Sequence, residues 1–598
     1  MTAVTQAGGP PGGAVDEGLK REVGFLGLMW ASEGSIIGSG WLFGALTATI
    51  LAGPAVVFSW IIASLIVILL ALIHAELGGI FHVSGGTSRF PHYAFGSLAG
   101  ASFGWFSYLQ AATVAPVEVL ATVQYFSTVS WASGWFQIDP ATGAGTLHGV
   151  GIVVALALLV VFAAINLAGI KWLSRSNTWV TSLKVFVPIL AIVVLVTTHF
   201  HMGNFTALGG FFLKGANAPM TIMKAIPAGG IVFSLLGFEQ AVQLGGESSN
   251  PRRDIPRAVI GATLIGALIY VLVQFAFIGA LAPATLAHTS TIAGQHIAAT
   301  WGNLGTNNVA LAASPYATLA TIAGLGWLAV ILRIDAVISP GGTGLIYNTT
   351  TSRLSFGLSK NGFVPQVFEA TSKRNKVPVF GIIIAAIVGA LFLLPFPAWS
   401  ALIGLVTSAS VLMYAGAPLA LGALRHSKPQ LRRPYLLPLA AVLCPLAFVC
   451  ASEIVYWAGW STYSTLMVAV AIGYVLMLIS AAFKLNPNAP KIDWIAGVWI
   501  FPYLIGMGVI SFFGQFGTGG IIGGVGPFKN FMVGGTGFIP GDVGIPFWWD
   551  LAVVAVFSLI VYYTAMHFRL SEAQVDVYAS HLYPPEGDVT PAAAAALY

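Results

Sequence analysis

Fourteen stretches of this chain stay apolar for about the length of a bilayer crossing, and no other feature restricts its fold as much. They fall at about 23–51, 53–78, 98–128, 148–170, 178–200, 222–244, 257–284, 316–348, 377–396, 398–423, 435–457, 462–484, 494–514 and 546–568. About 20 helical residues cross the hydrocarbon core, where a backbone must satisfy its own hydrogen bonds. The pattern therefore predicts an all-α polytopic membrane protein with about 14 transmembrane helices. Composition excludes a soluble domain: 8% of residues are charged, against about 25% in soluble chains.

The basic residues orient these helices. Of 25 Lys and Arg, only Lys214, Lys224 and Lys529 fall on one side, and Lys184 and Arg333 lie within helices. All the others, from Lys20 to Arg569, sit in the alternate connections. Cytoplasmic loops carry the positive excess, so the expectation is a multi-pass cell-membrane protein with both termini cytoplasmic. Residues 1–22, with GGPPGG and Asp16-Glu17, lack the regions of a signal peptide and read as a disordered cytoplasmic tail. Residues 569–598 read as a second cytoplasmic tail. Cys444 and Cys450, six apart, point to different helix faces and read as reduced packing residues with no metal role.

Two of the runs are interrupted. The first holds Gly34-Ser35-Ile36-Ile37-Gly38-Ser39-Gly40-Trp41-Leu42-Phe43-Gly44. Glycines at these positions either let two helices pack closely or mark a break, tolerated at membrane depth only where it is buried or lines a cavity. The sixth run holds Gly229-Gly230 and then Ser234-Leu235-Leu236-Gly237 before Glu239. Breaks in corresponding members of two halves point to a transport site, so the second interruption favours a binding break. Ionisable residues inside the apolar runs are the next signal, because they are expensive there. Lys184 in the fifth run is either a proton-linked group or a permanent strut. Glu118 and Asp335 either relay protons, bind a cationic substrate group, or make structural hydrogen bonds. Arg333 and Asp335, two apart, face differently on a helix. Ser339, Gly341, Gly342 and Thr343 are expected to loosen the eighth helix.

Several ordered motifs resemble one family. They are Ile37-Gly38-Ser39-Gly40-Trp41-Leu42-Phe43, Ala75-Glu76-Leu77-Gly78 with Ser84-Gly85-Gly86, and Phe233-Ser234-Leu235-Leu236-Gly237-Phe238-Glu239. Gly104-Trp105, Glu247 through Asn250-Pro251-Arg252-Arg253-Asp254-Ile255-Pro256-Arg257, and Arg353 through Asn361-Gly362-Phe363-Val364-Pro365 complete the set. Together they are similar to the amino acid–polyamine–organocation permeases, which have a LeuT-like core. Glu33 and Arg89-Phe90-Pro91-His92 depart from the family's usual pattern. The resemblance implies a LeuT-like 5+5 inverted-repeat core over 23–424 plus four accessory helices over 425–568. It implies secondary active import of amino acids, by proton symport with alternating access around broken helices 1 and 6. An amino acid/polyamine exchanger is the alternative, and a non-transporting sensor comes after it.

By the same resemblance the substrate carboxylate is assigned to Ser39 and Gly40. Its ammonium is assigned to carbonyls near Ile37 and Phe233 to Leu236, which brackets Gly38 and Ser234. Phe233 and Leu236 then face the substrate side chain, and Lys184 takes the place of a sodium ion, with Glu118 and Asp335 as further proton-coupling candidates. The expected partners are an amino acid or amine substrate, a proton and the lipid bilayer, with a homodimer left open and no nucleic acid. No cofactor or metal is expected, and no catalytic motif or phosphate-binding loop is present to make the chain an enzyme or an ATP-driven pump.

Overall fold

The computed structural model describes residues 22–83, 85–138, 145–168, 170–213, 215–292, 294–375, 377–393, 398–516 and 547–579. These segments are mostly helical, as expected. Two short antiparallel ribbons lie in connections, Phe136–Ile138 with Gly145–Leu147 and Ser290–Ile292 with Gln295–Ile297. Residues 1–21 and 580–598 of the expected tails lie outside the described residues.

The body begins with α1 (Phe25–Ile36), α2 (Gly40–Ala52), α3 (Val56–Ile80), α4 (Gly86–Phe126), α5 (Gly149–Ala168) and α6 (Ile170–His199). It continues with α7 (Ala218–Ala228), α8 (Ile231–Leu235), α9 (Gln240–Gln243) and α10 (Pro251–Ala280). Beyond the second ribbon come α11 (Gly326–Lys360), α12 (Val379–Leu393), α13 (Trp399–Tyr414) and α14 (Gly416–Ser427). The last helices are α15 (Ala440–Trp457), α16 (Gly459–Ala482), α17 (Ile500–Phe513), α18 (Phe547–His567) and α19 (Glu572–Ala579).

Among the described residues, 10 helices are long and apolar enough to cross a membrane, fewer than the fourteen expected. The difference has a local cause in each case. The first two runs join through the single turn Gly53–Ala55 into one stretch, Gly40–Ile80. The sixth run is cut into pieces of 11, 5 and 4 residues. The ninth and thirteenth runs give the shorter apolar helices Val379–Leu393 and Ile500–Phe513.

The eighth helix is displaced from its expected position. The apolar run from 316 is split by a turn at Gly324, whose φ is 73°, so the long helix starts at Gly326 and runs on to Lys360. Its polar second half is buried at Tyr347, Asn348, Thr350, Thr351 and Ser352, which hydropathy alone marks as a loop. The expected loosening at Ser339–Thr343 does not occur, because α11 stays helical through Pro340, Gly341 and Gly342.

The largest interfaces join α11 to α4, α10 to α3 and α13 to α4. Helix α1 is packed by α10, α6, α11 and α9, and α2 by α7, α8 and α10. This places the first break at the centre of the body. Val153, Val160, Phe186 and Val193 on the outer faces of α5 and α6 are exposed, an apolar surface suited to hydrocarbon and not to water. Helix α15 packs on α18, α14 and α13, and α19 lies against α4.

Candidate functional site

Helix α1 stops because Ile37 leaves helical space, with φ −89° and ψ 88°, and α2 restarts at Gly40. Freed carbonyls at such an end need donors. Tyr270 Oη donates to Ile36 O at 2.7 Å. Thr343 Oγ1 lies 3.0 Å from Gly34 O and 3.4 Å from Ile37 O. Lys184 Nζ donates to Gly34 O and to Thr343 Oγ1, the latter at 2.8 Å. A buried ammonium thus meets the negative end of α1, where the helix dipole favours it.

The opposite charge meets the start of α2. Ser39 N donates to Glu118 Oε2 at 2.8 Å, and the Ser39 hydroxyl accepts from Trp399 Nε1 at 2.8 Å. Two residues further on, Trp41 Nε1 donates to Asp335 Oδ2 at 3.0 Å, and Ser339 Oγ donates to Oδ1 at 2.9 Å. Each half-helix end at the break therefore faces a side chain of complementary sign.

The second break is longer. Gly230 has φ 81°, Leu236 is extended, and Gly237 has φ 126° before α9 begins. Gly237 requires glycine twice over: its φ is left-handed, and a Cβ there falls 2.6 Å from Ile36 N. A Cβ on Gly40 falls 2.8 Å from Ser234 Cα, and one on Gly38 falls 2.7 Å from Glu118 Oε1. Gly40 and Gly237 are thus the points where the two breaks press against each other, while Gly38 presses on Glu118 of α4 and Thr343 of α11. Glu239 does not cap α9 through its side chain. Its carboxylate reaches back into the break and accepts from Gly237 N at 2.9 Å, Tyr347 Oη at 2.9 Å and Tyr414 Oη at 2.6 Å.

Between the breaks lies a cavity of about 10 Å³ lined by Ser35, Ile36, Gly38, Gly40, Val114, Glu118, Phe233, Leu236, Thr343 and Tyr347. That is about the space one water needs. Of the residues singled out in the sequence, Gly38, Gly40, Phe233, Leu236 and Glu118 line it. Ile37, Ser39 and Ser234 are buried beside it. Lys184 sits behind Thr343, and Asp335 is occupied with Trp41 and Ser339. Glu33, one turn before the break, is buried with neither carboxylate oxygen hydrogen-bonded.

Sequence reasoning missed Val114, Tyr347, Tyr270 and Trp399. Val114 and Tyr347 lie four residues from Glu118 and Thr343, a same-face spacing that could have found them. Trp399 and Tyr270 carry no such signal, since their partners are far along the chain. Among the described residues, no group of three or more His, Cys, Asp or Glu could hold a metal.

Comparison with known proteins gives the family. Residues 23–478 match the family described as Amino acid permease. The glutamate/serine transporter AimA of Bacillus subtilis is 34% identical over 549 residues, covering 92% of this chain and 94% of its own length. The aspartate-proton symporter of the same species is 30% identical over 559 residues, covering 93% and 98%. The branched-chain amino acid permease BcaP, also of Bacillus subtilis, is 25% identical over 478 residues, covering 78% and 94%. With its apolar helices packed around paired breaks, the chain belongs to the amino acid permease family of the amino acid–polyamine–organocation superfamily, a multi-pass membrane transporter and not an enzyme.

Proposed function

We propose that the protein is a secondary active transporter that imports amino acids by proton symport, with alternating access around the breaks of the first and sixth helices. The observation that carries this reading is the pair of breaks pressed face to face, with Lys184 and Glu118 at opposite half-helix ends. Paired half-helices offer N–H groups to a carboxylate and carbonyls to an ammonium without any buried side-chain charge of their own. In this reading the N–H groups of Ser39 and Gly40 hold the substrate carboxylate. The carbonyls around Ile37 and Phe233 to Leu236 hold its ammonium, and Phe233 and Leu236 face its side chain. Lys184 is the proton-linked cation, with Glu118 and Asp335 as further groups in the coupling. The likeness to an aspartate-proton symporter supports the proton, and the likeness to a glutamate/serine transporter supports a small polar or acidic amino acid.

The same proposal places both termini in the cytoplasm and divides fourteen crossings between a ten-helix core, 23–424, and accessory helices, 425–568. A second reading is exchange of an amino acid against an amine. Glu118 in the cavity wall favours it, since an amine without a carboxylate pairs with that side chain. Uptake of an amino acid panel into proteoliposomes, with and without an imposed pH gradient, tests the proposal. Accumulation driven by external acid supports symport. Accumulation that needs an internal amine supports exchange, and uptake that needs sodium overturns the proton reading.

A further inference from the structure

The N–H assigned to the substrate carboxylate already has a carboxylate on it. Glu118 reaches across from α4, and its Oε2 accepts from Ser39 N at 2.8 Å. The other oxygen, Oε1, is buried without a hydrogen-bond partner, and the side chain forms part of the cavity wall. A cavity of about 10 Å³ has no room for a second carboxylate while this one stays. We propose that Glu118 is a surrogate for the substrate carboxylate. It holds the Ser39 N–H at the start of α2, and an amino acid binds there by displacing it.

This rests on the transport reading above and adds a direct competition to it. The exchange is chemically even at the N–H: one charge-assisted bond from Ser39 N to a carboxylate is broken and another of the same kind is made. The N–H is therefore never left bare in a dry site. The displaced Glu118 keeps company with several groups. Lys184 of α6 acts on it electrostatically, Asp335 of α11 acts on Lys184, and Tyr270 of α10, bonded to Ile36 O, lies near enough to feel the Glu118 charge. The contrast with Glu239 argues against a merely structural bond. Both Glu239 oxygens are filled by Gly237 N and two tyrosine hydroxyls, so it has no free valence for an exchange.

The test compares ligands that do and do not carry a carboxylate. Binding of serine, glutamate and aspartate to purified full-length protein is measured beside ethanolamine, which is serine without its carboxylate. Glu118→Gln keeps the size but exchanges a charged acceptor for a neutral one, which weakens the internal bond. Amino acid affinity should rise about tenfold, the usual gap between charged and neutral hydrogen bonds, with ethanolamine affinity not rising. Glu118→Asp keeps the charge but is a methylene too short for Ser39 N, and it should also tighten amino acid binding. Unchanged or weaker amino acid binding by both variants, each eluting as a monodisperse protein, overturns the surrogate role while leaving the transport reading standing. If the parent binds none of the amino acids, the transport reading and the surrogate role fall together.

Discussion

Glu76 and Glu118 are both buried acids on neighbouring long helices, yet their surroundings differ in one respect that separates structure from function. At Glu76 every oxygen is occupied. Arg425 donates at 3.1 and 2.6 Å, Leu437 N donates at 2.7 Å, and Arg433 Nε lies 3.1 Å away. At Glu118 one oxygen takes a backbone N–H and the other takes nothing. A saturated carboxylate cannot change partners without stranding buried charges, so it fixes α3 to α14 and to the connection after it. A half-satisfied one is held in place and still able to exchange, which suits a site that must admit a ligand.

The largest effect expected from this contrast is at Glu76. Glu76→Ala leaves two arginines without their buried partner, a loss of about 3–5 kcal/mol. The variant should fail to yield monodisperse protein or melt far below the parent. Glu118→Gln should melt close to the parent, and a comparable collapse there breaks the comparison.

Next is the contact between the breaks. Gly40→Leu forces backbone away from Ser234, whose Cα lies 2.8 Å from the first added carbon. It should abolish amino acid binding while the protein still inserts in the membrane. Retained affinity in detergent would mean that these glycines serve packing alone.

A smaller and more selective effect is expected at Lys184, which donates to Gly34 O and Thr343 Oγ1. Arginine, with a pKa above about 12, keeps a charge but cannot release a proton. Both Lys184→Arg and Lys184→Ala should bind substrate yet lose accumulation driven by a pH gradient. If Lys184→Arg accumulates as well as the parent, the lysine is a strut, and Glu118 and Asp335 become the carriers.

The smallest effect belongs to the C-terminal helix. Lys428 Nζ lies 3.1 Å from Glu572 and 2.7 Å from Asp576. Burial opposes the Lys428 charge, but the two acids outweigh it and raise its pKa, while the ammonium holds Glu572 below its ordinary range. A raised lysine stabilises until pH climbs through its folded pKa, and a depressed glutamate stabilises until pH falls through its own. From ordinary values of about 10.4 and 4.3, the clasp stays charged between about pH 5 and pH 10. Lys428→Met should lower the melting temperature by no more than a few degrees and leave the pH profile of transport unchanged across that window. A shifted profile would place a proton-sensitive element outside the breaks.

The positions of both breaks were legible in the sequence, because Gly38-Ser39-Gly40 and Gly229-Gly230 with Gly237 are poor helix formers in segments that otherwise span. The fold class was legible for the same reason that hydropathy works: a dry core demands helices. The limits of α11 were not legible, because its buried Asn348, Thr350 and Thr351 face protein and not lipid. Glu118 was legible as a buried acid but not as the partner of Ser39, since that bond joins residues 79 apart. Trp399 and Tyr414 were invisible as site residues because they act through contacts with Ser39 and Glu239 that only packing reveals.

The most direct test of the central claim is to follow internal pH while an amino acid enters proteoliposomes in choline buffer with no imposed gradient. The interior should acidify in step with uptake, and Lys184→Arg, still able to bind, should show no such acidification. Uptake by the parent without acidification, or uptake only when sodium replaces choline, would contradict it.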